Sequence, residues 1–377
     1  MTGYYNVIEG WTTGPANITR FNEDTTTIND STWGNTNVLS EANFQTGLRT
    51  NFENYNCDMQ RGYNGSSESK WNWSSGNVNC SKPKVYDTGV SDSLTVYLYD
   101  TSNSTVGSKV YYTKSDDGTL TNLVPGKTYK WEKTSDTSVY GYITVTADHG
   151  TRFIDAGDTN NVRDLGGLEV DTDNDGTVDG SLKYERLYRG GKVLGGTSGI
   201  EAITNLAKTN ELVPGNVIEY DVAGDQPAGF PSAKSYPVIH YNFDYNVSDL
   251  TNYNAARNAI NAIMDDVISG GNIYFHCRVG ADRTGTVAYL LEGLLGVSDE
   301  DRYREYELTH LGGLTDRTRY YKQKDPDNNK KFVFMMKYVL TKDDIMTWYM
   351  KGSSDTVDNH PDQDRIDAFR NEMIVSN

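Results

Sequence analysis

No apolar run in this sequence approaches the length needed to cross a bilayer, and the opening MTGYYNVIEG has neither the basic start nor the apolar stretch of an export signal. A soluble chain without a membrane span is expected, any leader lying outside the sequence given. Basic residues are also short: 35 Lys and Arg face 52 Asp and Glu, a net charge of -17. That balance disfavours nucleic acid, anionic membranes and other polyanions, except where basic residues are locally focused. Cysteine is scarce, with Cys57, Cys80 and Cys277 only. If Cys277 is kept for chemistry, Cys57 and Cys80 can pair, as suits an oxidising compartment, or stand as two buried thiols. Lysine is sparse in the first half, where Asn, Thr, Ser, Gly and Tyr dominate. This texture is common in exported β-proteins, so an extracellular or cell-surface location is expected, with cytoplasmic and virion-associated ones as alternatives.

What is present divides the 377 residues into two or three domains. Residues 1–90 hold short aromatic runs among turn formers, including KWNWSSGNVNC with Trp71 and Trp73. Tryptophans alternating on a strand either pack one face of a sheet or form a platform for a carbohydrate or other surface ligand. In 91–150 the segments SLTVYLYD, KVYYTK, KTYKWEK and VYGYITVTA carry period-two or β-branched and aromatic patterning between turns, which predicts a β-sandwich. Leu120, Leu123, Pro125, Gly126 and Tyr129 have spacings that resemble the tyrosine corner of fibronectin type III and related immunoglobulin-like domains.

Past residue 150 the period becomes helical in GIEAITNLAK, YNAARNAINAIMDDVIS, TVAYLLEGLLG and SDEDRYREYELTHL, with Ser298 and Asp301 forming a capping signal. Strand-like NVIEYD, YPVIHYN and NIYFHC lie between the helices. Residues 151–377 therefore read as a sheet flanked by helices.

The stretch HCRVGADRTG, His276 to Gly285, sits at the end of one such strand and the start of a helix. A strand-to-helix loop can aim successive backbone N–H groups inward, and the helix start adds partial positive charge, so the cradle suits a phosphate dianion. Five residues separate Cys277 from Arg283. Such a cradle stabilises a thiolate, and Arg283 can hold two phosphoryl oxygens in a fork that lysine cannot copy. His276 orients the loop, and the Thr284 hydroxyl can donate to the sulfur when it leaves. Gly280 and Gly285 allow close backbone approach. Arg278, Val279, Gly280 and Ala281 line the loop and are expected to meet substrate.

With its histidine, glycines and threonine, this loop resembles the HCxxGxxR[ST] signature of the cysteine-dependent protein tyrosine phosphatases. NVRDLGG (Asn161 to Gly167) and RLYRGG (Arg186 to Gly191) narrow the resemblance to bacterial members related to secreted mycobacterial and listerial enzymes. The resemblance spans about residues 152–312. It implies a multidomain chain: a β-sandwich-like amino-terminal region, then an α/β tyrosine-phosphatase domain. It further implies hydrolysis of a phosphorylated protein or small phosphoester through a phosphocysteine on Cys277, with no cofactor required. Members with added phosphoinositide activity often read HCxxGKDRTG. Ala281 occupies the lysine position here, so recognition of extra phosphates should weaken unless Arg278 compensates. Asp244 falls where the family keeps its mobile general acid. Asp282 and Asp221 are the alternatives, Asp282 as a loop brace or water-positioning group and Asp221 chiefly as a structural residue. Arg163, Asp164 and Arg189 recur where the family builds the surround of the site, and internal ion pairs explain them equally well.

DTDNDGTVDG sets Asp171, Asp173, Asp175, Thr177 and Asp179 at the first nine positions of an EF-hand-like loop, a candidate structural calcium site. Leu182 stands where a bidentate Glu is expected, and a solvated acidic hairpin is the alternative. Three functions stay open: a phosphotyrosine phosphatase, a phosphatase of inositol phosphates or phosphoinositides, and a surface or virion-associated binding module on a phosphatase scaffold.

Overall fold

A computed structural model describes residues 86–111, 118–145, 151–156, 159, 161–193, 217–224, 232–237, 250–298, 301–302, 305–306, 308–309, 345–346, 349–350 and 361–377. Cys57, Cys80, Trp71, Trp73, the helix expected at 199–208 and Asp244 lie outside these residues.

Strand β1 (Tyr86–Asp87) pairs with β4 (Thr119–Leu120). A second, antiparallel sheet contains β2 (Leu94–Asp100), β3 (Thr105–Val110), β5 (Thr128–Lys133) and β6 (Asp136–Thr144), in the order β3-β2-β5-β6. Alternation drives it: Leu94 and Val96 on β2, and Tyr129 and Trp131 on β5, are buried while their neighbours are not. β3 lies ahead of the place expected from KVYYTK, because five of its six residues are exposed and leave no alternating apolar signal. At the corner before β5, the Val124 N–H donates to the Tyr129 hydroxyl at 2.8 Å, both groups buried. This is the type of contact that the Tyr129 spacing predicts.

The larger sheet is built from β7 (Arg152–Phe153), β8 (Arg163–Asp164), β11 (Leu187–Gly190), β12 (Val217–Asp221), β13 (Ser232–Ser235) and β14 (Asn272–His276). Its order is β13-β12-β14-β11-β8-β7. The pairs among β13, β12, β14 and β11 are parallel, while β8 runs antiparallel to β11 and β7 antiparallel to β8. A small sheet joins β9 (Glu169–Val170), β10 (Gly180–Leu182) and β15 (Ile374–Ser376). Three described helices complete the structure: α1 (Leu250–Ile268), α2 (Asp282–Leu295) and α3 (Pro361–Met373). The expected cap precedes the helical residues after 300, with the Asp301 N–H donating to Ser298 Oγ at 3.1 Å.

Every residue of β14 is buried, as suits a central parallel strand covered on both faces. Ile273 and Phe275 join a core that includes Ile263, Met264, Leu291 and Phe369 of the three helices. Tyr274, on the opposite face, belongs to a second core that also holds Tyr188 and Val162 and continues into Val96, Tyr129 and Trp131 of the four-stranded sheet. Polar contacts follow the same junction. Asn122 exchanges hydrogen bonds with both backbone groups of Asp155, at 2.7 and 3.0 Å, and Arg152 donates to the Asn122 carbonyl at 2.9 Å.

Candidate active site

The site forms where the parallel strands end. Gly190 of β11 and Asp221 of β12 are both in register with His276 of β14, so the turns following those strands flank the loop 277–281. Ligand crevices of open α/β sheets lie at this edge. α2 begins at Asp282 and directs its positive end at the same loop.

Cys277 is buried, with 3% of its surface exposed. The carbonyls around it are held by surrounding residues. Lys192 N–H donates to the Arg278 carbonyl at 3.2 Å, and Gly285 N–H to that of Ala281 at 2.8 Å. His276 Nδ1 lies 3.3 Å from the Cys277 carbonyl. The Gly280 carbonyl takes two donors, Arg189 Nη2 at 2.7 Å and Asn161 Nδ2 at 3.0 Å, while Asn161 also reaches the Val279 carbonyl at 3.5 Å. In a planar trans peptide the N–H points opposite to the C=O. Holding these carbonyls on neighbouring residues therefore turns each following amide to the opposite side of its peptide. Gly280 has φ +72°, and a Cβ there would overlap the Gly190 backbone, so only glycine fits.

Arg283 is half-buried, its Nη1 donating to the Ala223 carbonyl at 2.9 Å. The turn supplying that carbonyl is braced in turn by Asp221, whose Oδ1 accepts the Ala223 N–H at 2.8 Å. Thr284 is fully buried, and its hydroxyl has no hydrogen-bond partner among the described residues; Arg283 Nε is in the same condition. Arg278 and Val279 are exposed at the rim, while Gly280, Ala281 and Asp282 are buried. The loop residues expected from the sequence thus lie on one strand-loop-helix segment, from the end of β14 to the first turn of α2. Asp244 lies outside the described residues.

Arg163 sits behind the loop. It is fully buried and gives Nε to Glu305 Oε1 at 2.8 Å, Nη1 to Asn161 Oδ1 and Nη2 to Thr309 Oγ1 at 3.2 Å. Arg189 bonds the other oxygen of Glu305 at 2.5 Å, so one carboxylate bridges two guanidiniums. Burial lowers the pKa of Arg163 to about 10, which leaves it cationic at neutral pH. Glu292 of α2 is buried near these arginines; desolvation first, then the Glu305 charge, raises its pKa well above the usual carboxylate range. Asp164 serves β7, accepting Arg152 Nε at 3.0 Å and the Glu185 N–H at 2.9 Å.

Sequence reading missed Asn161, Glu305 and Glu219 as parts of this site. Glu219 Oε1 lies 2.7 Å from His276 Nε2, both side chains buried. Its signal was a carboxylate inside NVIEYD, a strand otherwise suited to burial. Elsewhere, between β9 and β10, carboxylate oxygens of Asp171, Asp173 and Asp179 fall within 4.8 Å of one another. Asp175 is outside that group and accepts the Thr177 N–H at 2.7 Å; Asp179 accepts the Thr172 N–H at 2.7 Å.

Among curated proteins none matches the chain. The family model described as the tyrosine phosphatase family matches residues 154–360, which contain β8, β11, β12 and β14, the thiol loop and α2. That match spans more than half of the 377 residues, and with it the chain belongs to the tyrosine phosphatase family, phosphatases acting on phosphoester substrates.

Proposed function

We propose that this phosphatase hydrolyses phosphotyrosine in proteins or peptides, through a phosphocysteine on Cys277 and without a metal or other cofactor. The observation that carries the proposal is buried Cys277 at the start of a loop whose carbonyls are held by neighbouring residues, followed by Arg283 and Thr284 in the first turn of α2, the Thr284 hydroxyl having no hydrogen-bond partner among the described residues. In the first step the Cys277 thiolate attacks phosphorus and the P–O bond to the tyrosine breaks. The inward amides and Arg283 stabilise charge on the equatorial oxygens, and a carboxylic acid, Asp244 by family position, gives the leaving oxygen its proton. In the second step water attacks phosphorus, the same carboxylate takes the proton, and the S–P bond breaks. Thr284 can then donate to the departing sulfur.

Ala281 supports the phosphotyrosine reading. It is buried where phosphoinositide-active relatives carry a cation, which leaves exposed Arg278 as the basic loop residue beyond Arg283. We assign residues 91–150 to a fibronectin type III-like module and 151–377 to the phosphatase domain, and we place the protein outside the cell or at its surface on its composition.

The test uses the full chain. Wild type should hydrolyse a phosphotyrosine peptide in preference to phosphoinositides and inositol hexakisphosphate. A D244A variant should accumulate phosphate bound covalently to Cys277, detected by mass spectrometry, and C277S should show neither adduct nor turnover. Turnover by C277S equal to wild type would exclude this mechanism.

A further inference from the structure

We infer that Asn161 and Arg189 are positioning residues for oxyanion binding: by gripping the Gly280 carbonyl from behind, they aim the Ala281 amide into the phosphate cradle. The inference rests on the proposed reading of the Cys277 loop as that cradle.

The geometry is specific to one peptide. Two donors from separate strand regions meet on one oxygen, Arg189 Nη2 at 2.7 Å and Asn161 Nδ2 at 3.0 Å. Each donor is itself fixed. Asn161 uses its other side-chain atom, Oδ1, to accept Arg163 Nη1, which fixes which end of the amide faces Gly280. Arg189 spends Nη1 on Glu305 Oε2 and Nη2 on the loop, a fork that a lysine cannot reproduce. Glu305 completes the arrangement by holding Arg163 and Arg189 together. All four side chains are 3% exposed or less. None of them need touch substrate. Because the peptide is planar, the direction of the Gly280 carbonyl dictates that of the next N–H. Without the tether the peptide can rotate, and the cradle loses one aimed donor. The NVRDLGG and LYRGG stretches then encode the accuracy of the anion site as well as sheet pairing.

The experiment measures tungstate affinity by calorimetry and p-nitrophenyl phosphate kinetics on the full chain, for wild type, N161D and R189K. N161D keeps the shape and the Arg163 contact but turns an oxygen toward the Gly280 carbonyl. About tenfold weaker tungstate binding and a comparable fall in kcat/KM are expected for it. R189K should lose at least as much. N161G keeps the positive φ of Asn161, +60°, and serves where N161D folds poorly. Binding is read on protein whose thermal unfolding midpoint lies within a few degrees of wild type, so general destabilisation does not imitate the effect. Folded variants with unchanged tungstate affinity would overturn the inference. Wild type that binds tungstate without turning over any phosphoester would sink the catalytic reading while leaving the tether standing; wild type that binds no oxyanion would remove both.

Discussion

Glu292 shows how one side chain sets a pH dependence remote from solvent. Burial first, then the charge of Glu305, raises its pKa against the opposing pull of Arg189, Arg302 and Arg163, so the native state keeps its proton to higher pH than the unfolded chain does. The stabilising contribution of that protonated form is complete below the ordinary glutamate range. It is lost as pH rises through the elevated native value, so stability falls with pH across that window. Glu292→Gln retains the shape without the ionisation, and should stabilise the protein by about 1 to 3 kcal/mol at pH 7. The gain should vanish near pH 4. Thermal unfolding of both proteins across that range checks the sign, and a gain that grows toward acid would refute it. The same side chain explains a limit of sequence reading, since a glutamate within TVAYLLEGLLG gives no hint of the three arginines that its fold brings near.

At the scale of single elements, the corner before β5 carries the clearest sequence signal. Tyr129→Phe removes the acceptor of the buried Val124 N–H and should cost about 1 to 3 kcal/mol, read as a lower urea midpoint with unchanged m-value. An unaltered midpoint would show that the hydroxyl contact does not hold the corner. Strands β2, β5, β6, β12 and β14 were legible because each combines apolar or alternating runs with flanking turns. β3 was displaced because its residues are exposed, and β13, SAKS, has no apolar run; its place follows from pairing with β12. In the thiol loop the strand-loop-helix setting was legible, since the signals for β14 and α2 and the spacing of Cys277 and Arg283 are local. The loop's supports were not. Asn161, Lys192 and Ala223 act through contacts that only the folded sheet creates, and Arg189, expected in the surround of the site, shows its grip on Gly280 only in the fold. The converging acid set was likewise only partly legible: Asp179 joins Asp171 and Asp173, whereas Asp175 does not.

For the molecule as a whole, the core that unites Tyr274 and Tyr188 with Val96 and Trp131 couples the four-stranded sheet to the back of the six-stranded one. Asn122, with φ +61°, is the polar joint between them. Asn122→Gly preserves that backbone conformation while deleting both side-chain bonds to Asp155, a loss of about 1 to 2 kcal/mol. Amides of β2 and β5 should then exchange with deuterium roughly tenfold faster while those of β14 change little. Equal acceleration in all three strands would mean that the two sheets open as one unit.

The ties on the thiol loop have a consequence for how this protein is made. Gly280 is held by partners 119 and 91 positions earlier in the chain, so no short fragment can preform the proposed anion site. A growing polypeptide should remain chemically quiet until distant strands have met, and the onset of turnover then becomes a strict clock for completion of the native state.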